Sequence, residues 1–480
     1  MSGPDRAYDL GFRSLSEAEE STARRLPVEG DLPEWLSGAL VRNGPGSFEF
    51  GDERATHWFD GLAMLRRYGF EDGEVRYTNR FLRTEAYEDA RDGGTAGEFA
   101  IGSGLLREAG RWLRALGPPE STDNANVHVV RFGDHHVALT EAPRRVAFDP
   151  ETLATRGEFR FRDDLAEHMS TAHLTVDPHG RETVGYAVEF GRSPQYHLYR
   201  VPFDEPRRER FASVPAEGPG YVHDCSLTEN YALLVEPPLR ISILRALAPG
   251  GDGMLDALEY DEDRETRFVI VDRDTGEVVA EPRTPSFFVF HHVNAFEDGD
   301  DVVLDLVEFE DADIVDSLSF EALSGDAFAA APPGRLVRCR IDPAAAEVER
   351  SRRYDGGLEL PTVPRAVRGR EYRYAYGQAT DRRGANGLLK ADLERNTVSE
   401  WWERGVYVEE PRMVQRPDAE SEDDGVVLAP ALHTGEERTM LLVFDAETLT
   451  ELARAPLPHA LPFGFHGRFF PELDGGHAGQ

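Results

Sequence analysis

A short alternating strand that ends in aspartate, followed by a tight turn and a returning strand, recurs along this chain. In three of these units the strand-ending aspartates, Asp342, Asp392 and Asp445, are spaced 50 and 53 residues apart. Aspartate suits this position because its side chain can bond the turn backbone. A multi-stranded repeat of roughly 50 to 70 residues is typical of propeller blades. Seven such units would account for most of the 480 residues.

The repeat therefore predicts an all-β fold, a seven-bladed β-propeller with a small helical cap over one face. An array of β-sandwiches is the alternative, but no linker rich in proline, serine and glycine separates subdomains. We expect a single propeller domain over residues 1–480, in which residues 1–25 form a poorly structured N-terminal lead and residues 100–120 a helical insertion.

Two stretches depart from the acidic, strand-like pattern. Residues 104–116 place leucines and a tryptophan on one helical face and three arginines on the other. Residues 239–249 are again apolar and basic. One interpretation is that both are helices that cover the propeller. The other is that both contact a membrane surface, where Trp, Leu and Arg are favoured.

The charge balance excludes some classes of partner. The chain has 53 Lys and Arg against 89 Asp and Glu, a formal net charge of −36, and Lys390 is its only lysine. Nucleic-acid binding is not expected because no basic cluster balances the acid. This composition predicts a halophile's cytoplasmic protein, hydrated in salt that screens charge within ~3 Å at 1 M. An acidic surface for a basic partner is the competing interpretation.

The chain carries no sign of a secreted or membrane-spanning protein. Its two cysteines, Cys225 and Cys339, exclude a disulfide scaffold and a CxxC metal site. The first residues lack the apolar core of a signal peptide, and no apolar run approaches the ~20 residues of a spanning helix. We expect a soluble cytoplasmic protein, with peripheral membrane association through 104–116 and 239–249 left open.

Four histidines lie in apolar, strand-like surroundings at intervals that match the repeat. From His173 to His223 the interval is 50 residues, to His291 a further 68, and to His466 a further 175, about three repeats. The innermost strands of a propeller line its channel, so equivalent positions on different blades converge. A lone histidine is more often a hydrogen-bonded core residue, but convergent buried imidazoles cost several kcal/mol unless something binds them. A divalent metal is the simplest partner, and we expect the helical cap over the metal-bearing face.

Three glutamates occur at intervals similar to those of the histidines. Glu359 and Glu410 come 68 and 51 residues further along the series from His291, and Glu141 precedes it. Such carboxylates could bind the metal directly or orient the imidazoles that do. Spacing does not separate these cases, and surface ion pairs remain the ordinary alternative.

Eight motifs, in order along nearly the whole chain, resemble the carotenoid cleavage oxygenases, a family that includes apocarotenoid oxygenases, lignostilbene dioxygenases and the retinal pigment epithelium isomerase. The motifs are LPVEGDLPEWLSGALVRNGPGSFEFG, HWFDGLAMLRRYGF, STAHLTVDP, HDCSLTENY, FHHVNAFE, GREYRYAYG, EDDGVVL and GFHGRFF.

The resemblance implies a seven-bladed propeller with one non-haem Fe²⁺ per chain on its axis. The positions that match the iron ligands of the family are His173, His223, His291 and His466. The positions that match its orienting carboxylates are Glu141, Glu359 and Glu410, paired with His223, His291 and His466 in that order. His173 then lacks a carboxylate partner.

Within FHHVNAFE, the resemblance assigns the first histidine as the ligand, since related members lack a second one. Side chains alternate along a strand, so His291 and His292 should point to opposite faces. We expect His291 to face the axis and His292 to bond a neighbouring blade.

The implied reaction is oxidative cleavage of a conjugated C=C bond, with both atoms of O₂ ending in two carbonyl products. Substrates of the family are apolar polyenes or aryl stilbenes. In stilbene-cleaving members a lysine precedes the first of these glutamates, where this chain has Thr140. We therefore expect a carotenoid or apocarotenoid substrate. The alternatives are stilbene cleavage, isomero-hydrolysis of a retinoid ester, and a non-enzymatic propeller that binds a protein partner.

Overall fold

The computed structural model describes residues 7–93, 121–218, 220–242, 257–324, 331–382 and 386–473. These residues form a seven-bladed β-propeller, as the repeat predicted, and each blade is an antiparallel sheet. The blades are numbered in the order in which the chain forms them.

Blades 1 to 3 come from the first half of the chain. Blade 1 contains Ser21–Arg25, Gly38–Arg42, Pro45–Ser47, Leu62–Glu71, Glu74–Phe81 and Gly467–Phe470. Blade 2 contains His128–Phe132, His135–Leu139, Arg145–Phe148 and Thr155–Phe159. Blade 3 contains Met169–Ser170, Thr175–Asp177, Glu182–Glu189, Gln195–Pro202 and Glu209–Pro215.

Blades 4 to 7 complete the ring. Blade 4 contains Cys225–Leu227, Tyr231–Glu236, Thr266–Asp272, Val278–Ala280 and Arg283–Thr284. Blade 5 contains Phe288–Asp298, Asp301–Phe309, Arg335–Asp342 and Glu347–Arg352. Blade 6 contains Leu358–Thr362, Tyr374–Ala379, Gly387–Asp392 and Thr397–Trp402. Blade 7 contains Glu29–Gly30, Val406–Val408, Arg412–Gln415, Gly425–His433, Arg438–Asp445 and Glu451–Pro456.

The remaining described elements are short. Two further strand pairs join Glu49–Phe50 to Glu53–Arg54 and Leu239–Ile241 to Leu258–Tyr260. The α-helices are Glu85–Arg91, Asp313–Asp316 and Phe320–Leu323, and the 3-10 helices are Ala7–Phe12, Glu17–Glu19, Trp58–Asp60 and Arg365–Val367.

The strand-ending aspartates bond the turns, as their chemistry predicted. Oδ1 of Asp342 accepts hydrogen bonds from the backbone N–H of Ala344 and Ala345, both at 2.9 Å. Oδ1 of Asp445 accepts one from the N–H of Thr448 at 2.8 Å. Each such side chain satisfies turn donors that no strand partner reaches, which is why the residue recurs with the blades.

The hydrophobic core is divided into layers between neighbouring blades. One layer joins blades 3 and 4 and contains Cys225, and the next joins blades 4 and 5 and contains Cys339. Both cysteines are free and buried, and burial raises the pKa of each thiol. The remaining pairs of neighbouring blades are joined in the same way.

Both ends of the chain close the ring. The last strand, Gly467–Phe470, pairs with Gly38–Arg42 in blade 1, and Glu29–Gly30 pairs with Glu451–Pro456 in blade 7. The prediction of a poorly structured lead over 1–25 is wrong for residues 7–25. Ser21–Arg25 pairs with Glu74–Phe81, and Tyr8 and Phe12 bury their rings in the core layer between blades 7 and 1.

The predicted membrane contacts are only partly covered by the structure. The insertion at 100–120, with its helix at 104–116, lies outside the described residues, as do 243–249. Leu239–Ile241 is a strand, and its apolar side chains Leu239 and Ile241 are buried, so these two do not offer a surface to lipid. Among the described residues, no helix has both the length and the apolar character needed to cross a membrane.

A buried histidine makes stability depend on pH. His57 is fully buried; its Nε2 donates to the carbonyl of Val315 at 3.0 Å, and its Nδ1 accepts from the N–H of Phe59 at 3.2 Å. Protonation would remove that acceptor, and burial lowers the pKa of His57 from 6.5 to about 4. Between the pKa of 6.5 and the lowered pKa of about 4, the unfolded chain binds a proton at this histidine that the folded chain does not. Stability should therefore fall as the pH is lowered through this window.

We expect the pH dependence to be measurable by urea unfolding. The contribution of His57 between its unfolded and folded pKa should approach about 3 kcal/mol. His57→Gln should reduce the dependence of the unfolding free energy on pH in this window, while other buried histidines with a lowered pKa, such as His136, continue to contribute to it. Equal slopes in wild type and His57→Gln would contradict this assignment.

Candidate metal centre

The four histidines converge on the centre of the ring because of the strands that carry them. Three lie in or next to the first strands of their blades, and His466 lies next to the last strand of the chain. His173 lies between Met169–Ser170 and Thr175–Asp177 of blade 3, and His223 precedes Cys225–Leu227 of blade 4. His291 lies within Phe288–Asp298 of blade 5, and His466 directly precedes Gly467–Phe470 of blade 1. Their candidate ligand atoms all lie within 4.8 Å of one another.

A β-bulge redirects the strand that carries the histidine pair. Val289 is opposite Glu308 and His292 is opposite Leu306, so this strand has one residue more than its partner between the two pairs. Such a bulge locally interrupts the regular alternation of side chains. The ring of His291 joins the cluster, while Nδ1 of His292 is hydrogen-bonded to Oγ of Ser226 in blade 4 at 3.0 Å. The predicted bond from His292 to a neighbouring blade is confirmed.

This division of roles predicts that His292 supports the fold and not the metal. His292→Gln and Ser226→Ala each remove the bond between blades 4 and 5, and each should lower the unfolding free energy by about 1 kcal/mol. The double variant should lose little more than either single one, because both remove the same bond. The capacity of the four-histidine cluster to bind a divalent metal should stay at the wild-type level in all three. Loss of metal binding in His292→Gln alone would contradict the assignment.

Three of the four histidines are held by a carboxylate, which is buried in Glu141 and Glu410 and partly buried in Glu359. Nδ1 of His223 donates to Oε1 of Glu141 at 2.7 Å, that of His291 to Oε2 of Glu359 at 2.6 Å, and that of His466 to Oε1 of Glu410 at 2.9 Å. The structure thus brings together all seven predicted site residues, in the predicted pairs. His173 has no carboxylate partner among the described residues.

The protonation of the cluster follows from its burial. Burial is the main cause that lowers the pKa of His466 to about 4, against the opposing effect of Glu410, and the pKa of His173 is also lowered well below its usual value. Burial acts on His291 in the same sense, but Glu359 outweighs it and the net pKa is raised. Neutral imidazole is the form that binds metal, so a metal at Nε2 of His291 would compete with a proton for that atom, while Nδ1 keeps its proton and its bond to Glu359.

Glu410 differs from the other two carboxylates because arginines surround it. Its carboxylate contacts Arg42 at 3.0 Å and Arg412 at 2.8 Å in addition to His466. Burial by itself would raise the pKa of Glu410, but Arg412, His466 and Arg42 together hold it at about 2. Glu410 therefore remains a carboxylate while it is 2% exposed.

The free ring atoms fit a metal ion. Nδ1 is occupied in His223, His291 and His466, which leaves Nε2 of each ring for a ligand. The Nε2 atoms of His173 and His291 are buried without a hydrogen-bond partner. Such orphaned nitrogens are costly unless a ligand is bound. Four imidazoles without a thiolate suit a borderline divalent metal such as iron.

An apolar cavity of about 660 Å³ opens onto the cluster. Its wall includes His223, His291 and His466 as well as Ile314 and Leu318, which belong to the segment of short helices after blade 5's second strand. These short helices lie over this face, where a helical cap was expected, but the helix predicted at 104–116 lies outside the described residues. Aromatic rings form much of the remaining wall: Phe12, Trp58, Phe59, Phe290, Tyr407 and Phe463.

Sequence reasoning missed three side chains at the cluster. The hydroxyl of Tyr221 donates to Glu141 at 3.1 Å, and Arg42 bonds both Glu409 and Glu410. The ring of His128 lies 5.5 Å from that of His466. Only Tyr221 carried a usable signal, since it lies two residues before His223 and shares its side of an extended chain. Arg42 and His128 come from blades 1 and 2, far from their partners in sequence.

Comparison with known proteins agrees with this geometry. The model of the retinal pigment epithelial membrane protein family matches residues 12–471. The carotenoid isomerooxygenase of Galleria mellonella is 31% identical over 95% of this chain and 96% of its own length. The chloroplastic carotenoid cleavage dioxygenase 8 of Arabidopsis thaliana is 31% identical over 95% of this chain and 85% of its own.

A solved structure extends the likeness to the whole fold. A mutant of the Synechocystis apocarotenoid oxygenase superposes with a TM-score of 0.88 and 29% identity, over 98% of this chain and 99% of that one. The family match, the propeller and the four-histidine cluster agree. This chain belongs to the retinal pigment epithelial membrane protein family, the carotenoid cleavage oxygenases, and is an oxygenase of that family.

Proposed function

We propose that this oxygenase binds one Fe²⁺ through His173, His223, His291 and His466 and uses O₂ to cleave a conjugated C=C bond of a carotenoid or apocarotenoid. One C=C bond breaks and two C=O bonds form, so that each product carries one atom of O₂. The observation that best supports this is the cluster of four imidazoles, three of which line an apolar cavity of about 660 Å³.

Iron supplies the electrons that ground-state O₂ needs to react with a closed-shell alkene. The side chains of the protein would orient the metal ligands for that reaction. Glu141, Glu359 and Glu410 fix the orientation and tautomer of three imidazoles by accepting from Nδ1. The reaction needs no side-chain nucleophile, because the oxygen that enters both products comes from O₂.

The cavity wall supports a polyene as substrate. Aromatic rings such as Trp58 and Phe290 provide large flat apolar surfaces for a conjugated chain, and they exclude water from its reacting bond. A phenolic stilbene would call for a free cationic partner at its hydroxyl, and the arginine in the wall, Arg382, is already paired with Glu400. Thr140 lies in the wall beside Glu141, whereas Lys390 bonds Asp423 at 2.6 Å and does not line the cavity.

The proposal is tested by a substrate panel. Protein reconstituted with Fe²⁺ without oxygen, in high salt, is given O₂ together with β-carotene, apocarotenals or resveratrol. We expect two carbonyl products from a polyene and none from resveratrol. Cleavage of resveratrol alone would transfer the assignment to the stilbene-cleaving alternative. Absence of carbonyl products from every substrate in fully loaded protein would rule out the dioxygenase.

A further inference from the structure

A second cavity, here called the arginine chamber, meets the histidine cluster from another side. It has a volume of about 760 Å³ and shares His291 and His466 with the apolar cavity. Six arginines line it: Arg131, Arg181, Arg365, Arg368, Arg412 and Arg468. Only four carboxylates do so: Asp204, Asp224, Glu410 and Glu472. Acidic residues outnumber basic ones by 89 to 53 in the chain, so the sign of the charge is reversed here.

The carboxylates of the chamber already have partners. Asp224 accepts from the backbone N–H of Cys225 at 2.7 Å and of His292 at 2.8 Å. Glu410 is engaged by Arg42, Arg412 and His466. The two remaining carboxylates pair with arginines at the rim, Glu472 with Arg131 and Asp204 with Arg181.

Two arginines deeper in the chamber are left without a counter-charge. Among the described residues, Arg368 and Arg468 form no ion pair. Nη1 of Arg368 reaches only the carbonyl of Val293 at 3.1 Å, and Nη2 of Arg468 only that of Leu174 at 3.4 Å. Burial and then the charge of Arg412 lower the pKa of Arg368 to about 10. The positive charges of Arg368, Arg412 and Arg468 therefore repel one another. Arg368 and Arg468 also keep N–H groups for which the described residues provide no acceptor.

A buried histidine in the same wall also lacks a partner. His128 is 6% exposed and lines the chamber, and neither of its ring nitrogens has a hydrogen-bond partner among the described residues. A neutral imidazole always carries one N–H donor, so His128 has a donor that no protein acceptor satisfies. An unsatisfied buried donor costs about 1–3 kcal/mol, and the orphaned donor therefore points to an acceptor supplied from outside the chain.

We propose that the arginine chamber binds a small oxyanion, held by the guanidinium groups of Arg368, Arg412 and Arg468 and by the ring N–H of His128. A planar guanidinium offers paired donors that match two oxygens of one oxyanion, whereas a monatomic anion such as chloride meets only one point of the fork. The arginines that line the chamber are absent from the wall of the cavity proposed for the polyene, although the two cavities share His291 and His466. The inference does not depend on the reaction that the enzyme performs.

Sulfate is the probe for this site, with chloride as the balancing anion at fixed ionic strength. Iron-loaded wild-type protein without substrate should bind sulfate in calorimetric titration, and its Tm should show a saturable rise of about 2 °C or more. Sulfate also stabilises proteins by exclusion from their surfaces, but that effect does not saturate. Arg468→Gln and Arg368→Gln should each raise the dissociation constant for sulfate at least about tenfold.

The control variants distinguish a role of Arg468 in binding the anion from a role in maintaining the fold. Arg192→Gln, which removes an exposed arginine outside the chamber, should bind sulfate as wild type does. In chloride alone, Arg468→Gln should melt no lower than wild type, because one repelling charge is gone. Arg468→Lys keeps the charge but not the fork, and should bind sulfate with intermediate affinity even if Arg468→Gln folds poorly. Sulfate binding that is absent in wild type, or equal in wild type and Arg468→Lys, overturns the proposal.

Discussion

Replacing His291 with alanine should abolish iron binding and lower kcat/KM for polyene cleavage by more than about 100-fold, beyond the 10–100-fold typical of groups that only orient metal ligands. The Nε2 atom of His291 is buried, has no hydrogen-bond partner in the part of the chain that the structure describes, and lies in the four-histidine cluster. The variant removes one of four nitrogens and also leaves Glu359 without its imidazole. Iron per chain and steady-state kinetics on the same preparation measure both effects.

The adjacent histidine provides the matched control. His292→Gln changes the next residue of the same strand, and its ring is bonded to Ser226 and not to the cluster. It should keep its iron and most of its activity while losing stability. If His291→Ala retained stoichiometric iron, or if the two variants lost iron equally, the division between ligand and structural neighbour would be wrong.

Neutralising Glu410 should lower the unfolding free energy more than neutralising Glu141 or Glu359. Glu410→Gln should lower the unfolding free energy by about 3–5 kcal/mol, the range for breaking a buried ion pair. Arg42 and Arg412 would be left buried with less negative charge between them. It should also weaken iron binding about 10–100-fold, because His466 loses the acceptor for its Nδ1.

Glu359→Gln is the comparison that isolates the effect of the arginines. Glu359 holds His291 and the backbone N–H of Leu360 but no arginine. Glu359→Gln should therefore weaken iron binding about as much as Glu410→Gln does, but it should lower the unfolding free energy less. In wild type the contribution of Glu410 is present above the unfolded pKa of 4.5 and is lost as the pH falls towards its folded value of about 2. Equal unfolding free energies for the two variants would refute the role given to Arg42 and Arg412.

The sequence was informative wherever local chemistry repeats along the chain. The aspartates at strand ends, such as Asp342 and Asp445, revealed the blades because each makes its turn bonds within three residues. The histidines became candidates because a propeller turns a regular spacing into convergence on one axis, whereas their roles as ligands and their pairing with the glutamates followed from the resemblance of the motifs to the family.

What the sequence did not reveal depends on contacts between distant segments. The N-terminal residues 7–25 are ordered by pairing with Glu74–Phe81 and by burial of Tyr8 and Phe12, and their local pattern has no sign of either. The bulge at His291 depends on register with Asp301–Phe309. The arginine chamber gathers side chains from several blades, so no stretch of sequence shows a basic cluster.

We assign to His173, His223, His291 and His466 the binding of iron for the oxidative cleavage of a polyene. The most direct test compares iron-loaded and metal-free protein given an apocarotenal under isotopically labelled O₂, with the products reduced by borohydride at once so that label does not exchange with water. We predict cleavage only in the loaded protein, with one labelled oxygen in each of the two new carbonyl groups. Full iron occupancy without cleavage, or equal cleavage in metal-free protein, would contradict the claim.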